Sequence, residues 1–184
     1  LTIIILCNQK FVLQTLLNGR RKALSIGRAR TSAGERLFTM MVGVGFDATA
    51  VANVDLGIKK KWGKLSYLLS GLAAWWNYSS FKLSVNECSV ISPWLVVTNG
   101  KHYAGPYKIS DTQSIFARQL LAIALPERGR IGLLNAVLAM CFGRFEQKTN
   151  LVRKSGVAFA IASQGKYEAH VQVDGDAFGT TPLY

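Results

Sequence analysis

From residue 24 to the C-terminus the chain runs through one short strand pattern after another, without the regular strand–helix alternation that builds a parallel sheet. Strand patterns fall at residues 24–28, 37–47, 82–85, 94–98, 120–125, 157–162 and 169–173, and helix patterns only at 8–18, 59–78 and 131–142. Strands that follow one another so closely pair antiparallel. The predicted fold is mainly β (α+β): a two-sheet antiparallel β-sandwich with two or three appended helices. A chain of 184 residues suits one domain, or one and a fraction. No internal repeat and no low-complexity segment interrupts it.

The clearest strand is residues 37–47. Phe38, Met40, Val42, Val44 and Phe46 alternate onto one face, while Thr39, Met41, Gly43, Gly45 and Asp47 take the other. Two glycines on one face indicate that a backbone or a ligand comes close. The pattern leaves two readings open, a bent strand packed on a neighbour or a cleared track ending at Asp47. A second glycine-punctuated stretch, Asn99-Gly100-Lys101-His102-Tyr103-Ala104-Gly105-Pro106, follows a buried strand. It is a plain turn, or a ligand loop offering backbone donors, a cation and an aromatic ring.

Near the end, Ala169-His170-Val171-Gln172-Val173 alternates as a strand and runs into Asp174-Gly175-Asp176. Val171 and Val173 turn inward, which leaves Asp174 on the face of Gln172 and His170. Asp-Gly is also a hairpin signal, so this is either a strand closing in a turn or a carboxylate delivered to a polar surface.

The helix pattern of 131–142 carries Leu134, Val137, Leu138 and Cys141 on one stripe, predicted to be its buried face. The pattern of 59–78 opens with Lys59-Lys60-Lys61-Trp62-Gly63-Lys64 and continues with leucines and tryptophans at helical spacing. It is a core helix with a solvated basic entry, or a basic, tryptophan-bearing surface that rests on anionic lipid.

Charge narrows the partners. With 22 basic residues against 10 acidic, the formal net charge is +12, which favours an anionic partner: a membrane surface, a phosphorylated ligand or nucleic acid. Cys7, Cys88 and Cys141 are far apart and lie in or beside apolar sequence, as buried free thiols of a reducing compartment would. Two histidines exclude a His-rich metal site. No run reaches the roughly 20 apolar residues of a membrane-spanning helix. Gly43-x-Gly45 lacks the third glycine and the helix of a dinucleotide fingerprint, and no phosphate loop of the G-x-x-x-x-G-K-[ST] type occurs.

Taken in order, several short motifs resemble one family. They are Leu24-Ser25-Ile26-Gly27-Arg28, Val44-Gly45-Phe46-Asp47-Ala48, Trp62-Gly63-Lys64-Leu65-Ser66-Tyr67, and Val96-Val97-Thr98-Asn99-Gly100. Tyr103-Ala104-Gly105-Pro106, Gly143 and Val173-Asp174-Gly175-Asp176 with Thr181-Pro182 follow. The set is similar to the C-terminal domain of bacterial diacylglycerol-kinase-like lipid kinases, relatives of sphingosine and ceramide kinases and, more distantly, of NAD kinases. The likeness runs from about residue 10 to the end.

That resemblance implies an enzyme of two domains, which transfers the γ-phosphoryl group of ATP to a lipid hydroxyl with Mg2+. ATP and Mg2+ would be held mainly by an N-terminal nucleotide-binding domain, whose Gly-Gly-Asp-Gly loop is not in this sequence. Residues 1–23 would then be a remnant helix or linker and residues 24–184 the lipid-side β-sandwich, inactive without its partner domain. By the same resemblance Asp174 matches the proposed general base, and Asp176 stands where glutamate is usual. Gly43, Gly45, Asp47, Asn99, Gly100 and Gly105 are the candidate substrate-binding residues. Lys59, Lys60, Lys61, Trp62 and Lys64 are the candidate membrane surface. Where many members carry an Asp-Asp-Gly stretch that holds a structural metal, this chain has Ala117-Arg118-Gln119, so no metal is expected there. The expected partners are a lipid substrate, an anionic membrane surface and the nucleotide-binding domain, with a homodimer allowed and no nucleic acid. The expected location is cytoplasmic and peripheral to the membrane. A non-catalytic membrane-surface or nucleic-acid-binding β module is the alternative.

Overall fold

Strands that are apolar on both faces belong between two layers, and this sequence has three of them in Met41–Gly45, Trp94–Thr98 and Leu120–Leu125. In the computed structural model, which describes residues 9–52, 75–76, 78–103, 105–126, 128–148, 150–164 and 168–184, these strands lie side by side in the middle of a sheet. The elements in chain order begin with α1 (Gln9–Asn18), β1 (Gly27–Thr31), β2 (Gly34–Phe38), β3 (Met41–Gly45) and α2 (Phe46–Ala52). Next come β4 (Phe81–Val85), β5 (Cys88–Ser92), β6 (Trp94–Thr98), β7 (Leu120–Leu125) and α3 (Gly129–Cys141). A 3-10 turn (Phe145–Gln147), β8 (Val152–Gly156), β9 (Ile161–Ser163), β10 (His170–Val173) and β11 (Asp176–Thr180) complete the chain.

Among the described residues three antiparallel sheets result: a six-stranded one in the order β11-β10-β3-β6-β7-β8, a three-stranded β5-β4-β9, and the hairpin β1-β2. Alternation in the large sheet feeds two separate cores. Val42, Val44, Leu95, Val97, Ala122, Ala124, Val171 and Val173 face the smaller sheets, where Ala29, Phe38, Leu83, Val85, Phe159, Ile161, Phe178 and Leu183 meet them. Met41, Trp94, Val96, Leu121, Ile123 and Leu125 face the other way, under Leu133, Ala136 and Met140 of α3 and Phe145. The molecule is thus a mainly β sandwich with a helix laid on its outer sheet.

The structure changes several expectations. The strand predicted over 37–47 is two strands and a helix. It bends at Thr39-Met40, and it ends at Gly45, whose φ of +92° a β-carbon would resist. Met40 is therefore exposed, and Asp47 sits in the first turn of α2 instead of at a strand end. β5, β8 and β11 were not predicted as strands at these positions; β8 (Val-Arg-Lys-Ser-Gly) is exposed almost throughout and has no apolar alternation to read. In α3 the buried stripe is Leu133, Ala136 and Met140, the reverse of the predicted one: Leu134, Leu138 and Cys141 face outward with Ile131 and Phe142. Leucines populate both sides of this helix, so periodicity alone could not choose. Cys88 and Cys141 are exposed free thiols, not buried ones. Leu13, Leu16 and Leu17 of α1 are also exposed. Cys7 and most of the 59–78 pattern, including Lys59, Lys60, Lys61, Trp62 and Lys64, lie outside the described residues. Among the described residues no helix is long and apolar enough to cross a membrane.

Candidate functional site

Two motifs distant in sequence converge on the corner between β2 and β3. Val173 pairs with Asp176, and the intervening Asp174 and Gly175 both take positive φ (+49° and +91°), as a primed two-residue hairpin turn requires. The Asp-Gly signal is therefore a real turn, closed by Gly175 N donating to Gln172 Oε1 at 2.7 Å. The turn also aims the Asp174 carboxylate at the neighbouring corner. Its Oδ2 accepts from Thr39 N at 2.8 Å and Thr39 Oγ1 at 3.2 Å. Its Oδ1 accepts from Met40 N at 3.0 Å and Met41 N at 2.9 Å.

Asn99 serves the same corner from the other side. Its backbone N donates to Met40 O at 2.8 Å, and its Nδ2 donates to Thr39 O at 3.1 Å and Ser25 O at 2.7 Å. Asp174 thus satisfies the amides of residues 39–41 and Asn99 the carbonyls of residues 39 and 40. The two acceptors of Nδ2 also fix the orientation of the amide group, leaving Oδ1 buried with no partner among the described residues. Asp176 opens β11 at the surface, where it stands 3.8 Å from Arg36.

The glycine track is also occupied, but by the protein itself. Gly43 pairs with Gln172, and a β-carbon on Gly43 would fall 2.0 Å from Asp47 Oδ2. The bare position is where the Asp47 carboxylate lies. That carboxylate accepts from Tyr103 Oη at 2.9 Å, Gln172 Nε2 at 3.1 Å and its neighbour Ala48 N at 2.8 Å. Burial raises the pKa of Asp47 above the ordinary carboxylate value, against the hydrogen bonds from Tyr103, Gln172 and Ala48 that lower it. Burial and the Asp47 charge push the Tyr103 phenol well above its usual value. The Trp94 indole N–H is near enough to favour the charged form of both, yet it forms no hydrogen bond of ordinary geometry.

A raised carboxylate pKa means that the folded state binds the proton more tightly than the unfolded chain does. The contribution of Asp47 to stability is therefore full below its unfolded pKa and is lost as pH rises through the raised folded value. Denaturant unfolding from about pH 4 to about pH 7 should show wild type losing stability relative to Asp47→Asn across that interval. A difference independent of pH would contradict it.

A cavity of about 670 Å³ opens between the six-stranded sheet and the smaller sheets. Its apolar walls include Phe38, Val42, Val97, Leu120, Phe159 and Ile161, and Asn99 is part of its lining. Ala117, Arg118 and Gln119 line it as well. Among the described residues no cluster of three or more His, Cys, Asp or Glu side chains could hold a metal ion.

Of the candidate binding residues, the structure brings Asn99 to this cavity. Gly43 and Asp47 sit together in the network with Gln172 and Tyr103. Gly45 packs against the Pro93 carbonyl, Gly100 is buried beside Ile115, and Gly105 occupies an exposed turn with φ +62°. Asp174 and Asp176 are not among the cavity's lining residues. Tyr103 and Gln172 were not expected to serve a buried carboxylate; the paired glycines were the one hint that something would fill that space.

No protein-family model matches the chain, and no curated protein does. Solved structures do. A crystal structure from Bacillus anthracis str. Sterne, provisionally described as a diacylglycerol kinase, superposes with a TM-score of 0.64 at 19% identity, over 88% of this chain and 52% of that one. A second such structure from the same organism gives 0.62 at 18% identity, over 88% and 53%. A third, described as a diacylglycerol kinase, gives 0.59 at 17% identity, over 88% and 52%. The fold is shared with these proteins, and the chain spans about half of their length.

Proposed function

We propose that this chain is the lipid-side domain of an ATP-dependent lipid kinase, which phosphorylates the hydroxyl of diacylglycerol or a similar lipid when joined to a nucleotide-binding domain. The observation that carries this is the cavity between the sheets. At about 670 Å³ it falls within the usual range of small-molecule sites, and its walls suit a hydrocarbon chain. The fold shared with the Bacillus anthracis proteins supports the same reading.

Phosphoryl transfer rests chiefly on positioning and on neutralising phosphate charge. The residues of this chain contribute the first. The cavity walls hold the acyl portion and exclude water. ATP and Mg2+ would supply the phosphoryl group and its charge compensation; the described residues offer no acidic cluster for the ion, so both are assigned to the other domain.

A general base needs a lone pair for the incoming proton. An ionised carboxylate has about four such sites, and four protein donors already meet those of Asp174. We therefore assign Asp174 to positioning: it fixes the corner from which Phe38 and Val42 enter the cavity wall. The test is transfer of labelled phosphate to diacylglycerol in mixed micelles. The chain alone should give none, and the chain joined to the N-terminal half of one of the Bacillus anthracis proteins should give product. Turnover by the isolated chain at an ordinary enzymatic rate would overturn the proposal.

One observation favours a second reading, a non-catalytic membrane-surface module. Ile131, Leu134, Leu138 and Phe142 form an exposed stripe along α3, Arg128, Arg130 and Arg144 stand at its ends, and Arg130 lies 6.0 Å from the ring of the exposed Trp76. Apolar residues beside cations suit an anionic bilayer. Co-sedimentation with anionic vesicles that depends on this stripe, with no phosphorylation from the joined protein, would select that reading.

A further inference from the structure

The proposed cavity also has an electrostatic bias, and it points to the class of lipid it takes. None of its lining residues is acidic, and two are arginines, Arg28 and Arg118. Both side chains are exposed, as expected at a mouth. Arg28 shares Glu35 with Arg30, at 3.5 Å and 3.0 Å respectively. Arg118 forms no ion pair among the described residues. One acid, Glu87, belongs to an adjoining recess that shares Asn86, Ala160, Ile161 and Tyr184 with the cavity.

The rim is apolar as well as basic. Ile26 and Val157 both line the cavity and are 55% and 77% exposed. The segment that holds Ile26 is tied to the Arg118 segment by Ser25 N donating to Ile115 O at 2.8 Å. Lys22 stands 3.8 Å from the ring centre of Phe116, in the same segment. An apolar interior, an apolar lip and cations at the lip are what a hydrocarbon chain ending in a negative group requires.

Building on the reading that the cavity holds a lipid, we infer that the ligand it holds most tightly is an anionic amphiphile, so that the phosphorylated product of the proposed reaction binds more tightly than its neutral acceptor. The hydrocarbon portion lies against Phe38, Val42, Val97, Leu120, Phe159 and Ile161. The acidic head, a carboxylate or phosphate, sits at the mouth with Arg118 and, secondarily, Arg28. A neutral lipid of the same chain length fits the interior equally well but leaves Arg118 without an anion.

Calorimetric titration with oleate, monoolein and octanoate, each below its micellar concentration, tests this. Oleate is expected to bind at least tenfold more tightly than monoolein, and octanoate far more weakly than oleate because it buries fewer methylenes. Arg118→Ala should weaken oleate roughly tenfold and leave monoolein unchanged, with a further loss in Arg28→Ala/Arg118→Ala. Val157→Asp, at an exposed position that the fold tolerates, should also weaken oleate more than monoolein. Raising salt should erode oleate binding only. Circular dichroism would confirm that each variant is folded. Equal affinity for oleate and monoolein, unmoved by the arginine variants, would overturn the charge preference while leaving the lipid cavity standing. Binding of neither lipid would overturn both. Equal binding of octanoate and oleate would place the anion on the surface and overturn the inference.

Discussion

Asp47→Ala is expected to lower the folding stability by about 3–5 kcal/mol, and Gly43→Ala by a similar amount. The first removes the acceptor of Tyr103 Oη and Gln172 Nε2 in a buried site, at about 1–3 kcal/mol for each stranded group, and leaves a void among Trp94, Gln172 and Tyr103. The second puts a methyl group 2.0 Å from Asp47 Oδ2, so the carboxylate must leave the same partners. At this chain length each kilocalorie shifts the melting temperature by about 2–4 °C, so a fall on the order of 10 °C is expected for either. The pair makes the argument sharp. In Gly43→Ala/Asp47→Ala the new methyl has the vacated space, so the double variant should be markedly more stable than the sum of the two losses predicts. Additive losses in a double-mutant cycle would show that Gly43 is bare for some other reason.

The second large effect concerns Asp174, where three substitutions separate charge, hydrogen bonding and backbone conformation. Asp174→Asn keeps a residue that tolerates the φ of +49° but loses the charge and sets an NH2 group against backbone amides. It should cost about 1–2 kcal/mol, because water can reach this exposed site and partly replaces the lost acceptor. Asp174→Gly relieves the backbone entirely and loses all four hydrogen bonds. Asp174→Ala loses the bonds and adds about 1 kcal/mol of left-handed strain, so it should be the least stable of the three. Urea unfolding would order them. A fully stable Asp174→Ala would remove the carboxylate from its role at the corner. In the joined kinase, a fall in turnover that follows this stability order would mark a positioning residue, while abolished turnover in a fully folded Asp174→Asn would restore the proton-accepting role.

Much of the fold was legible because burial on both faces writes itself into sequence. Residues 94–97 and 120–125 are unbroken apolar runs, and Val171 and Val173 alternate with polar neighbours; each is where its pattern placed it. Edge strands hide because nothing packs on them: Arg153, Lys154 and Ser155 form a ladder with β7 through backbone atoms alone. The break at Gly45 was hidden because a strand that ends in a left-handed glycine still alternates up to its last residue. The candidate site was legible as residue types more than as partners. Asp174 and Asn99 stood out as members of motifs, yet their shared attachment to residues 39–41 spans more than 130 positions on one side and about 60 on the other. No local pattern carries information of that range.

Among the described residues the six-stranded sheet stops at β8, whose outer margin would otherwise be a template for a further strand. Arg153 and Lys154, both exposed, occupy that margin. An incoming copy in antiparallel register would bring like cations against like cations, and opposed charges of one sign disfavour pairing. The border that periodicity could not find is therefore a guard against fibrous stacking, provided by the chain's positive excess.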